Sequence, residues 1–294
     1  MSTSNLKNLV LVGKLSISNW EAKRKAKSVE ATAEAAAGAV HGAISARKAL
    51  LPGAEALEDI IKHSSAMRGW WNSVSAPWFD NGMRVYNVAG HFDIQLAYGD
   101  MARHRDSLID KFMTEYPALR EKARFDLNDL FDEEEYPMPG HVRSRFTCAF
   151  EVMPLPDVAD FRVVQGLDQK EMTRLQAEAE AKVNARVSEA MATTVRRTLE
   201  AVQLMADRLA EYSRREDADE KRQFYQSWVE NVKEIAALLP QLNLTNDPKI
   251  TQIAQEIEES FNKPGLFYKG DATARQEATQ KAKSIAAALA SFFD

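Results

Sequence analysis

The residues with the most evident chemical potential are five histidines, one cysteine and a run of four carboxylates. A metal centre needs ligands that converge. His41, His63, His91, His104 and His141 are scattered, and no two fall at metal-ligand spacing on one expected helix. Each therefore reads as an ordinary surface or hydrogen-bonded core histidine. Cys148 has no histidine obviously placed to activate it and reads as a small buried apolar residue on a strand. The run Asp132-Glu133-Glu134-Glu135 could attract calcium or magnesium, or supply a carboxylate pair for general acid–base work. It lacks the alternating ligands and turn glycine of an EF-hand loop, so a solvated acidic loop is expected. The chain contains no phosphate-binding G-x-x-x-x-G-K-[ST], no G-x-G-x-x-G after a strand, no G-x-S-x-G elbow, no H-E-x-x-H and no paired-cysteine zinc spacing. No catalytic residue, metal ligand or cofactor is nominated, and a non-enzymatic role is expected.

Binding chemistry is better represented. Lys23, Arg24, Lys25 and Lys27 head a segment in which residues 1–50 hold eight Lys/Arg against three Glu. Such a face suits phosphate-backbone contact, although a solvated helix face has the same composition. Trp70, Trp71, Trp78 and Phe79 form an aromatic group around Pro77. Exposed, these rings would anchor a partner or stack on bases; buried, they would cement a corner of the core. The net charge of −5 over 294 residues neither requires nor excludes a nucleic-acid partner. One cysteine rules out a disulfide within the chain and fits a reducing cytoplasm. No apolar run approaches the roughly 18 residues of a membrane span, and Lys14 interrupts any secretory core.

These residues need elements to hold them. Residues 9–17 read as an opening strand, with Ser18 or Asn19 capping a helix from near Trp20 through Ala39 that carries the basic residues. After the break at Leu50-Leu51-Pro52-Gly53, a helix is expected from Ala54 to Trp71 and a turn at Asp80-Asn81-Gly82. A strand follows over residues 83–88, then a helix from Phe92 to Leu119 with a kink or break at Pro117, and a further helical piece to Phe131. Residues 145–153 alternate as a strand, and residues 160–164 read as another. Helices are expected from Phe224 to a stop at Pro240, around Ile250 to Phe261, and from Ala272 to Phe293.

The dominant element is the stretch Asp168–Tyr212, free of Gly and Pro, which reads as one helix about 65 Å long. Val187, Met191, Val195, Val202, Met205 and Leu209 share one stripe along it. Something must cover that stripe. A partner chain or a second copy is one solution, and a neighbouring helix of the same chain is the other.

Several blocks resemble a family of uncharacterised proteins from tailed bacteriophages: residues 77–84, 112–117, Tyr136-Pro137, 146–156, 160–163 and 231–248. The resemblance implies no catalytic residues. Members of that family are encoded near a MoxR-like AAA+ ATPase and a von Willebrand factor A-like protein, which implies by association an adaptor to a remodelling machine. The expectations are a mainly α fold with a small β-sheet (α+β), its long antiparallel helices packed beside three or four short strands. The regions expected are a mixed one over 1–165, a long helical hairpin over 166–240, and C-terminal helices over 241–294. The expected role is that of a phage adaptor or scaffold in the host cytoplasm, able to oligomerise. A DNA-associated protein of phage replication or recombination is the alternative, and an antagonist of host defence a further one.

Overall fold

The computed structural model describes residues 6, 8–78, 82–155, 168–217 and 223–293. The fold is mainly helical with a small sheet, as expected. The elements are β1 (Val10–Ser18), β2 (Lys23–Lys25), α1 (Lys27–Ala37), β3 (Arg47–Ala49), α2 (Glu55–Val74), β4 (Ala76–Pro77), β5 (Arg84–Asn87), α3 (His91–Leu127), α4 (Pro139–Arg143) and β6 (Thr147–Pro154). They are followed by α5 (Gln169–Asp217), α6 (Ser227–Leu242), α7 (Pro248–Ser260), α8 (Gly265–Gly270) and α9 (Ala272–Ala290). The strand expected at 160–164 and most of the turn at 80–82 lie outside the described residues. The sheet order is β4-β5-β1-β6, and β2 pairs with β3 alone.

The chain divides into two compact units, each assembled from separated segments. This differs from the expected boundaries at 165 and 240, because strand pairing and helix packing join segments far apart in sequence. One unit comprises Met1–Lys14, Trp71–Gln95 and Glu151–Asp294. Here β1 and β5 pair antiparallel, Val10 opposite Asn87 and Gly13 opposite Arg84. Gly13 is required there: a Cβ at that position would lie 2.8 Å from the Trp71 ring.

The same unit holds the helical bundle. Asp168 caps α5 by accepting the Glu171 N–H at 2.8 Å. Exposed i,i+4 pairs such as Arg174–Glu178 and Lys182–Glu178 line its polar side. The Tyr212 ring meets Phe224 at 5.1 Å, and the Leu244 N–H reaches Met191 Sδ at 3.2 Å, so α6 runs back along α5. The Arg275 guanidinium lies 5.0 Å from the Tyr212 ring and Arg196 lies 5.7 Å from Phe293, so α9 is also antiparallel to α5. Val195, Val202, Met205 and Leu209 enter one core with Val229, Val232, Leu239, Ile253, Ile257 and Ile285. Each such burial stabilises the fold by about 1.5–3 kcal/mol. Pro240 does not stop α6, which continues to a buried Leu242.

The other unit comprises Leu15–Trp70 and Leu96–Phe150. Its core gathers Trp20, Leu50, Leu57, Ile60, Ile109, Phe112, Tyr116 and Phe146. Pro117 sits inside α3 and does not divide it, so of the expected kink or break the break does not occur. A helix-interior proline costs about 3 kcal/mol. Burial of the neighbouring Ile109, Phe112 and Tyr116 offsets that, at about 1.5–3 kcal/mol each.

Candidate nucleic-acid interface

The helix expected to begin near Trp20 does not form there. Both of its capping candidates are otherwise engaged. Ser18 Oγ donates to the Arg145 carbonyl at 2.7 Å. Asn19 Oδ1 accepts from Arg105 Nη2 at 2.8 Å and from Ser64 Oγ at 3.1 Å. Ala22 then adopts φ +50°, a left-handed conformation that turns the chain before it can coil. Lys23, Arg24 and Lys25 therefore lie on β2, a correction to their expected place on a helix; Lys27 alone of the four opens α1.

The pairing puts Lys23 opposite Ala49, Arg24 opposite Lys48 and Lys25 opposite Arg47. Five of the six ribbon positions are cationic, and two cross-strand pairs set like charges against each other. Like charges directly opposite destabilise a ladder, so local stability does not account for this arrangement. Lys48 is relieved: its Nζ lies 2.5 Å from Glu135 Oε2 and donates to the Leu130 carbonyl at 2.5 Å. Lys23, Arg24, Lys25, Lys27 and Arg47 are exposed and have no acidic partner among the described residues. Side chains alternate faces along a strand, so Lys23, Lys25 and Arg47 share one face within about 7 Å of one another. That spacing is about two phosphate steps along a nucleic-acid strand, at about 3.4 Å of axial rise each.

The excursion joining the two strands is fastened by buried or half-buried carboxylates. Glu34, 6% exposed, accepts the Gly42 N–H at 2.7 Å, the Ile44 N–H at 3.3 Å and a contact from His41 Nδ1 at 3.3 Å. Those backbone donors hold its carboxyl below the ordinary carboxylate range. Glu30 accepts the Ala46 N–H at 2.9 Å. The excursion is thus fastened to the carboxylates of α1. The ribbon carries no aromatic residue; Trp20, beside it, is buried against Tyr116 with ring centroids 5.8 Å apart. It can grip a charged backbone and offers no platform for stacked bases.

The remaining nominated residues fall elsewhere. Trp71 and Trp78 are buried and Trp70 is half-buried, so these three are core and not an exposed docking surface; Phe79 lies outside the described residues. Val187, Val195, Val202, Met205 and Leu209 are buried, with Met191 half-buried beside them. From Val195 to Leu209 the apolar stripe is covered by helices of the same chain, α6 and α9 among them, while Val187 packs with Trp78, Val85 and Leu155; this is the intramolecular of the two solutions. The acidic run forms a tight turn in which Asp132 accepts the Glu134 N–H at 3.0 Å. Glu133 pairs with Arg120 and, at 2.6 Å, with Arg124. Its carboxylates neutralise cations of the same unit. Cys148 is half-buried, its Sγ 3.9 Å from the Tyr98 hydroxyl. Burial, and then the neighbouring thiol, push that phenol up to about 12.

Arg47 was not nominated from sequence, although it belongs to the cationic face. Its signal was the Arg-Lys pair ahead of the Leu-Leu-Pro-Gly break, which gains meaning only once β3 is seen to pair with β2. Compared with known proteins, the chain matches no family model, no curated protein and no solved structure.

Proposed function

We propose that this is a non-enzymatic, phage-encoded protein of the host cytoplasm that binds the phosphate backbone of nucleic acid through the β2–β3 ribbon. The observation that carries the reading is the set of exposed cations with no acidic partner among the described residues, on a ribbon where Lys25 faces Arg47 and no described carboxylate relieves that like pair. Backbone contact is electrostatic and independent of sequence, which suits a ribbon of Lys and Arg without aromatic residues. The phage origin rests on the sequence blocks that resemble the phage family, and a role in phage DNA replication or recombination follows from the two together.

Fluorescence anisotropy on a labelled mixed-sequence duplex tests it. With three to four phosphate contacts, log K falls with log salt at a slope of about −3. Replacing Lys23, Arg24, Lys25 and Arg47 together with Glu should lower affinity at least about 100-fold with the far-UV spectrum unchanged. Unaltered binding by that variant rejects the ribbon as the contact.

An adaptor role is the second reading, favoured by Leu266 and Phe267, adjacent on α8 and 58% and 43% exposed. A MoxR-like AAA+ ATPase or a von Willebrand factor A-like protein is the partner that the family resemblance implies. Capture of tagged protein from infected cells, with and without nuclease, separates the readings: a nuclease-resistant ATPase supports the adaptor, and recovery that collapses with nuclease supports the ribbon.

A further inference from the structure

His63 and His104, far apart in sequence, meet between α2 and α3 within one unit. Their ring centroids are 4.7 Å apart and their planes cross at 81°. The His63 Nε2 lies 2.8 Å from the Met101 carbonyl oxygen, so in the neutral ring Nε2 carries the proton and donates. That leaves the His63 Nδ1 lone pair without a proton. A backbone carbonyl holding the second nitrogen is the usual means of orienting a metal-binding imidazole. His104 is exposed and His63 half-buried, so the pair is open to solvent on one side. An ion about 2.0–2.1 Å from one nitrogen of each ring would set the ring centroids about 5 Å apart, close to the separation observed.

We infer that His63 and His104 form a two-imidazole site for a divalent transition-metal ion of the Zn2+, Ni2+ or Cu2+ class, bridging α2 and α3. Imidazole nitrogen selects these ions over Mg2+ and Ca2+, which prefer oxygen. Among the described residues no cluster of three or more His, Cys, Asp or Glu could hold an ion, so water completes the coordination. One turn before each histidine stand Asp59 and Asp100, and Asp100 is already paired with Arg103. Bound metal would tie the two helices and stabilise their unit by mass action, independently of the ribbon's role.

The test uses the full untagged chain. Isothermal titration should give one Zn2+ per chain, weakened at least about tenfold by His104→Ala, a change as large as altered outer-shell partners produce. His41→Ala and His141→Ala should leave the affinity unaltered, and Mg2+ should not compete. Cu2+ added at one equivalent should show two coordinated nitrogens by electron paramagnetic resonance, falling to one in His104→Ala. No stoichiometric binding, equal affinity in His104→Ala, or a one-nitrogen spectrum for the unmodified chain would overturn the site. The spectrum of the unmodified chain decides the matter even if a variant fails to fold.

Discussion

The α5 stripe and the β2–β3 ribbon are both runs of like residues that need something to cover them, and the molecule treats them in opposite ways. Along α5, Val195, Val202, Met205 and Leu209 are covered by apolar residues of α6 and α9. Even the polar positions on that stripe are satisfied: Thr194 and Thr198 donate to the carbonyls one turn before, at 3.1 and 3.0 Å. On the ribbon, Arg24 faces Lys48 and Lys25 faces Arg47, and the exposed members have no acidic partner among the described residues. Apolar surfaces are complementary to one another, so a chain can cover its own stripe. Like charges are not, and a cluster of them is neutralised only by an opposite charge from elsewhere. The difference teaches where a partner is to be sought: at the surplus charge, and not at the longest apolar pattern.

The largest effect should come from breaking the covered side. Val202→Glu buries an unpaired carboxylate among apolar neighbours and should cost about 3–5 kcal/mol, seen as loss of the bundle's cooperative transition in urea. A fully folded variant that merely became monomeric would return the stripe to the surface. Next, the ribbon should lose binding in steps. Each cation removed from Lys23, Lys25 and Arg47 should reduce the salt slope by about 0.9, and the first substitution that leaves the slope untouched marks a residue outside the contact.

A subtler variant sharpens the contrast. Lys25→Glu turns a like pair with Arg47 into an opposite one. It should raise stability by about 0.2–1 kcal/mol while weakening nucleic-acid binding, so that denaturation and anisotropy move in opposite directions. The smallest effect concerns the excursion's fastening. Glu34 has its carboxyl lowered in the fold by backbone donors, so its stabilising contribution is present above the unfolded carboxylate range and is lost as the pH falls through the lower folded value. Hydrogen exchange at the Gly42 and Ile44 amides should therefore accelerate in that acidic window, after correction for intrinsic rates, and Glu34→Gln should remove the pH dependence. Unchanged protection across the window would mean that the loop is held by something else.

Periodicity made much of the fold legible, and for a definite reason. Helical spacing over α5, α6, α7 and α9 is a local pattern whose amphipathic faces are buried as the pattern requires, and the alternation over β6 is met by a half-buried face. The misread places are those where a distant residue decided a local one. Ser18 and Asn19 look like helix caps until Arg145, Arg105 and Ser64 occupy them, and Pro117 looks like a kink or a break until Phe112 and Tyr116 lock an undivided α3 into the core. The candidate site was half legible for the same reason. Composition alone identified Lys23, Arg24, Lys25 and Lys27 as a surplus of charge.

By itself, then, the sequence determined the helical character, most of the short strands, the presence of the long helix and the location of the basic segment, because each depends on neighbours within a few residues. Only the tertiary structure decided that the apolar stripe turns inward, that the basic segment is a strand paired with Arg47 and Lys48, and that His63 and His104 share one place between helices. Each of these is a contact between residues well separated in sequence, and pairing across such a distance is settled by packing and by competition for hydrogen bonds, which no local pattern records.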